Sequence, residues 1–102
     1  MSDTLAPMFN PPSPGEFISA TYLEPLAISA RKFAATLGVA TSSVTRILSG
    51  DARVSPEMAV RLEAVLGRSA ESWLRMQNCH DLWHAREVVS TENLRRLDLV
   101  AA

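Results

Sequence analysis

Ser29-Ala30-Arg31-Lys32-Phe33-Ala34-Ala35-Thr36-Leu37-Gly38-Val39-Ala40-Thr41-Ser42-Ser43-Val44-Thr45-Arg46-Ile47-Leu48-Ser49-Gly50 is the stretch that decides the fold. It parses as two short helices joined by a tight turn. Ser29 is placed to cap the first helix, its hydroxyl accepting from a free backbone N–H. Phe33, Ala34 and Leu37 form one apolar stripe, and Gly38 offers the left-handed residue that ends a helix. Val39 fills the turn. A second helix is predicted over 41–49, closed by Gly50.

That second helix is two-sided. At about 100° per residue, Val44, Ile47 and Leu48 share one sector and can bury themselves. Thr41, Ser42, Thr45, Arg46 and Ser49 occupy the opposite sector, with no Glu and no Lys among them. A merely solvated face usually carries long, charged, strongly helix-forming side chains. Short hydroxyls and one Arg instead let a helix lie deep in a groove, donate to phosphates and reach base edges. The pattern is that of a helix-turn-helix whose second helix enters the DNA major groove. The competing reading is an ordinary α-hairpin with a polar outer face.

The surrounding 102 residues bound the answer to one domain with a modest core. Residues 1–13 hold Pro7, Pro11 and Pro12 and read as a flexible arm, whose Met8 and Phe9 could tuck onto the body or a partner. Residues 14–89 form the helical domain. Its first helix is expected over Pro14 to Leu23, with Phe17, Ile18, Tyr22 and Leu23 facing the core and Pro25 ending it. Leu26 and Ile28 are expected to anchor the following loop. Ser55-Pro56-Glu57 opens a fourth helix with cap, proline and acid in succession, and Gly67 stops it. Ser69 caps a fifth and longest helix, from Ala70 to about Val89. Residues 90–102 form a short tail: Leu94 and Leu97 suit a helix, while Leu97 and Leu99 suit a strand or a frayed end.

In the fifth helix Trp73, Met76, His80 and Trp83 form a stripe of large, adaptable side chains; plain core packing is the competing reading, and Trp73 and Leu74 are expected in the core. Five short helices do not easily enclose all of Trp73, Met76, Leu82 and Trp83, so the stripe is a candidate dimer or partner interface. His80 and His84 lie one turn apart, a spacing that can grip a metal, but no second ligand cluster accompanies them and no metal is assigned. The chain has neither a nucleophile elbow nor a Gly-rich phosphate loop, so no catalytic residue, cofactor or small-molecule ligand is expected. The single Cys79 makes no internal disulfide, and no apolar run is long enough to span a bilayer. A cytoplasmic location is the expectation. Net charge is −1, yet Arg31, Lys32, Arg46 and Arg53 gather around the two-helix unit against Asp51 alone. That distribution is compatible with DNA on one side and a basic protein on another.

Asn10-Pro11-Pro12-Ser13-Pro14-Gly15-Glu16 and Tyr22-Leu23-Glu24-Pro25-Leu26 resemble the opening of the HigA antitoxins, Xre-type members of the lambda-repressor-like helix-turn-helix superfamily. The likeness continues through Leu37-Gly38-Val39, Arg46-Ile47-Leu48-Ser49-Gly50, Ser55-Pro56-Glu57-Met58-Ala59 and Ser69-Ala70-Glu71-Ser72-Trp73-Leu74. It closes on Met76-Gln77-Asn78 and Asp81-Leu82-Trp83-His84-Ala85-Arg86. The opening and closing segments are the diagnostic ones.

The resemblance implies an all-α, five-helix, homodimeric repressor of its own operon. It also implies neutralisation of a HigB-type toxin, a small basic messenger-RNA endoribonuclease of the RelE kind. Family members often carry Ser or Thr where this chain has Ala40, which caps poorly; Thr41 is expected to take over as cap and start the helix a residue later. Arg46 is the candidate for a bidentate guanine contact, with Thr41, Ser42 and Thr45 at base edges or a thymine methyl. Ser43, Arg31, Lys32 and Arg53 are the candidates for phosphate. A stand-alone repressor without a toxin, or an interaction module that no longer reads DNA, are the rival readings.

Overall fold

Serine begins most of the helices and glycine ends most of them, so the element boundaries are set largely by local chemistry. The computed structural model describes residues 10–100. Its helices are α1 (Pro14–Ile18), running on into a π-helical turn (Ser19–Leu23), then α2 (Ala30–Leu37), α3 (Thr41–Ser49), α4 (Pro56–Leu66) and α5 (Ala70–Val88). Ser29, Ser55 and Ser69 each accept a hydrogen bond from the backbone N–H three residues on, all at 3.1 Å. Gly38 and Gly50 end α2 and α3 with φ of 75° and 86°, where a side chain would be strained. The fold is all-α, with no strand among the described residues.

The π-helical turn resolves a spacing that a plain α-helix does not. Ile18 and Leu23 are both buried, at 1% and 6% exposure, yet five residues separate them. On an α-helix that separation places two side chains about 140° apart. The wider turn, closed by Glu24 N–H donating to the Ser19 carbonyl at 2.9 Å, returns Leu23 to the side of Ile18.

The core is drawn from all five helices and the loop after α3: Ile18, Leu23, Phe33, Leu37, Val44, Ile47, Val54, Leu62 and Trp73 are its larger members. α3 is held between α2 and α1. The start of α1 approaches it so closely that Gly15 has no room for a side chain. α4 lies along α5, and Arg61 of α4 donates to the Leu37 carbonyl at 2.8 Å, satisfying an orphan acceptor at the end of α2.

Several expectations need correction. Leu26 is 63% exposed and anchors nothing; Ile28 alone packs on the core. Trp73 has no exposed surface and leaves the interface candidates, because Phe17 meets its ring edge-on at 6.0 Å and the core closes around it. Its indole N–H finds no acceptor among the described residues. Met76 also packs on the core, so the apolar excess of α5 shifts to Leu82, Trp83 and Val88.

The arm boundary moves as well. Ser13 is buried and belongs to α1: its hydroxyl accepts from Glu16 N–H at 3.1 Å while the Glu16 carboxylate accepts from Ser13 N–H at 2.9 Å. This reciprocal capping box is readable in Ser13-Pro14-Gly15-Glu16. Pro11 is tied back to α5, its carbonyl 2.8 Å from His80 Nδ1. Met8 and Phe9 lie outside the described residues. Beyond α5, residues 89–100 form no strand, and Leu94, Leu97, Leu99 and Val100 are all exposed.

Candidate nucleic-acid interface

α3 presents its polar sector outward because Val44 and Ile47 are fixed in the core at 2% and 8% exposure. Thr41, Ser42, Ser43, Thr45, Arg46 and Ser49 are exposed. Ala40 is the N-cap residue, with extended backbone (φ −67°, ψ 147°) and no side-chain hydrogen bond. Thr41 is therefore the first helical residue rather than a substitute cap. The helix starts at this register because Ser43 and Val44 N–H groups already donate to the Ala40 carbonyl, at 3.1 and 3.4 Å.

The hydroxyls are not equivalent. Thr45 Oγ1 donates to the Ser42 carbonyl at 3.1 Å, so its proton is already committed within the helix. Ser49 Oγ bonds the Arg46 carbonyl and the Asp51 carboxylate at 3.1 and 3.0 Å. Ser42 and Ser43 have no such partner for their hydroxyls among the described residues and retain a free donor.

Helix-end electrostatics set α2 and α3 apart. α1, α4 and α5 each place an acid in the first turn (Glu16, Glu57 and Glu71), where it meets the positive end of the helix dipole. α2 and α3 have none. α2 instead carries Arg31 and Lys32, both exposed, in its own first turn. Two cations at a positive helix end are mutually unfavourable, and an external anion would offset both.

The loop after α3 completes the surface. Arg53 is exposed, yet its Nε donates to Asp81 Oδ2 at 2.6 Å and a terminal nitrogen reaches Asn78 Oδ1 at 3.4 Å. Next to it, Val54 N–H donates to the buried Gln77 side chain at 2.8 Å, and Gln77 in turn donates to Asp81 Oδ1 at 3.1 Å. Ser42, Ser43, Arg46, Arg53 and Ser55 line one open depression between α3 and this loop. The structure thus brings four of the eight DNA-contact candidates together there. Arg31 and Lys32 stand apart at the start of α2, and Thr41 and Thr45 lie elsewhere on α3. Gln77, Asn78 and Asp81 had no assigned role from sequence; their signal was a polar i, i+1, i+4 cluster at the middle of α5.

A match to the family described as Helix-turn-helix covers residues 20–73, the segment holding α2 and α3. The uncharacterized HTH-type transcriptional regulator YddM of Escherichia coli K12 is 41% identical over 90 residues, spanning 88% of this chain and 95% of that one. Antitoxin HigA-1 of Vibrio cholerae is 36% identical over 76 residues, covering 74% of this chain and 71% of that one. The structure of antitoxin GraA superposes with a TM-score of 0.82 at 34% identity, over 88% of this chain and all of that one. Pseudomonas aeruginosa antitoxin HigA, solved with the higBA promoter, gives 0.78 at 26% identity over 88% and 99%. Sequence motif, helical architecture and relatives converge, and the chain belongs to the helix-turn-helix family as one of its HigA-type antitoxins.

Proposed function

We propose that this chain represses its own operon as a dimer and neutralises the operon's toxin. The observation that carries the DNA half is that α2 and α3 begin without the acid found in the first turn of α1, α4 and α5, while Arg31 and Lys32 occupy the first turn of α2 and Arg46 the last turn of α3. Such a surface is unfavourable alone and favourable against phosphate. Pseudomonas aeruginosa HigA, similar in fold to this chain, was solved with the higBA promoter, which supports the DNA-binding reading.

Two protomers would place their α3 helices in successive major-groove faces about 34 Å apart on a palindromic operator. Arg46 reads guanine, the Thr45 methyl meets thymine, and Thr41 and Ser42 approach base edges. Ser43, Arg31, Lys32 and Arg53 hold phosphates. His80 and Trp83, with Leu82 beside them, form the dimer or toxin-facing side. The toxin is a HigB-type, basic messenger-RNA endoribonuclease, and both partners work in the cytoplasm.

The test has two parts. A mobility-shift assay on the chain's own upstream region at two salt concentrations is expected to give a sequence-preferring complex that weakens steeply with salt. Co-expression with the product of the adjacent small basic reading frame is expected to give a co-purifying complex and to relieve growth arrest. DNA binding without toxin capture would leave a stand-alone repressor; toxin capture without DNA binding would leave an interaction module.

A further inference from the structure

We propose that Asp81 of α5 is a positioning residue for DNA binding: it holds Arg53 in the orientation that takes a phosphate. This deepens the DNA-binding reading and rests on it.

α5 grips the loop on both sides of one peptide bond. Gln77 receives the Val54 N–H at 2.8 Å from a nearly buried position, at 5% exposure. Asp81 receives the Arg53 Nε at 2.6 Å through one oxygen and Gln77 through the other. Asn78 adds a long contact to one terminal nitrogen of Arg53. The other terminal nitrogen has no partner among the described residues, and Arg53 lines the same depression as Ser42, Ser43, Arg46 and Ser55. The guanidinium is thus engaged along one edge, with donor capacity left for an external acceptor.

An ion pair whose partners are 63% and 37% exposed adds little to stability. Its larger consequence is orientation, since a free Arg side chain loses much rotamer entropy when it binds a phosphate. Against this, Asp81 is a negative charge close to a surface that meets a polyanion. Electrostatics alone makes its removal favourable for DNA binding; orientation makes its removal unfavourable. The sign of one measurement separates them.

The experiment is a double-mutant cycle of Asp81→Ala and Arg53→Ala, read by fluorescence anisotropy on the upstream duplex and a scrambled duplex, with folding checked by circular dichroism. Asp81→Ala is expected to weaken binding to both duplexes by about three- to tenfold, as for a lost phosphate contact, despite removing an acid. In the Arg53→Ala background the same change is expected to weaken nothing. The isosteric Asp81→Asn keeps the packing and is expected to repeat the loss, which covers the case of an unfolded alanine variant. Tighter binding by these variants, or an equal loss without Arg53, would overturn the proposal. A wild-type chain that binds neither duplex overturns the DNA reading itself and this inference with it.

Discussion

The backbone of Gly15 rests directly on the last turns of α3: a β-carbon there would overlap the Ile47 carbonyl oxygen and stand 2.8 Å from Leu48 Cα. Helix α1 is thereby a brace behind α3, held in place by its capping box. Gly15→Ala is expected to force the two helices apart and to cost about 1–3 kcal/mol, the usual scale of overpacking. At about 4–8 °C per kcal/mol for a domain of this size, thermal melting resolves the change easily. An unchanged melting temperature would mean that the brace yields freely.

Gln77 is a buried side chain with both amide atoms committed, to Val54 N–H and to Asp81. Gln77→Leu preserves most of the volume and strands the Val54 N–H. The expected cost is about 1–3 kcal/mol in urea unfolding. Amide hydrogen exchange at Val54 is expected to accelerate more than at Val44, whose N–H bond lies within the α3 region. Equal acceleration at both sites would show a global rather than a local loss.

What the sequence discloses follows the range of the interactions involved. Ser29, Gly38, Gly50, Ser55 and Gly67 act on their immediate neighbours, so the helix boundaries were legible. Ser13 and Glu16 are equally local and equally legible once the proline between them is read as part of a cap. Trp73 and Trp83 belong to the same stripe of the same helix, but only Trp73 meets Phe17 and disappears into the core. That difference is set by the packing of α1, not by residue type. The contacts of Arg53 with Asp81 and of His80 with Pro11 bridge 28 and 69 residues. No local pattern encodes such pairs, and so the polar cluster on α5 had chemistry without a visible purpose.

Ala40 has the extended backbone of an N-cap but no side chain to fill the role. Ala40→Ser is expected to supply the missing acceptor to the first turn of α3 and raise stability by about 0.5–1 kcal/mol. The check is urea unfolding monitored by circular dichroism. A neutral result would indicate that solvent already satisfies those N–H groups at no net cost. A phosphate bound at the start of α3 would draw on the same N–H groups, so a loss of DNA affinity alongside the gain in stability is the expected pairing.

Arg46 and Lys32 offer the sharpest division of roles. Arg46 projects from the last turn of α3, where its planar fork suits a bidentate contact to guanine. Lys32 sits in the first turn of α2, a point charge suited to phosphate. Arg46→Ala is expected to cost about 1–3 kcal/mol on the operator and to narrow the gap between operator and scrambled duplex. Lys32→Ala is expected to weaken both duplexes alike and to lower the slope of log affinity against log salt by about one. Anisotropy titrations on both duplexes across a salt series give all of these values. An equal loss on the two duplexes for Arg46→Ala would move that residue from base reading to phosphate, leaving Thr45 and Ser42 to carry whatever sequence preference remains.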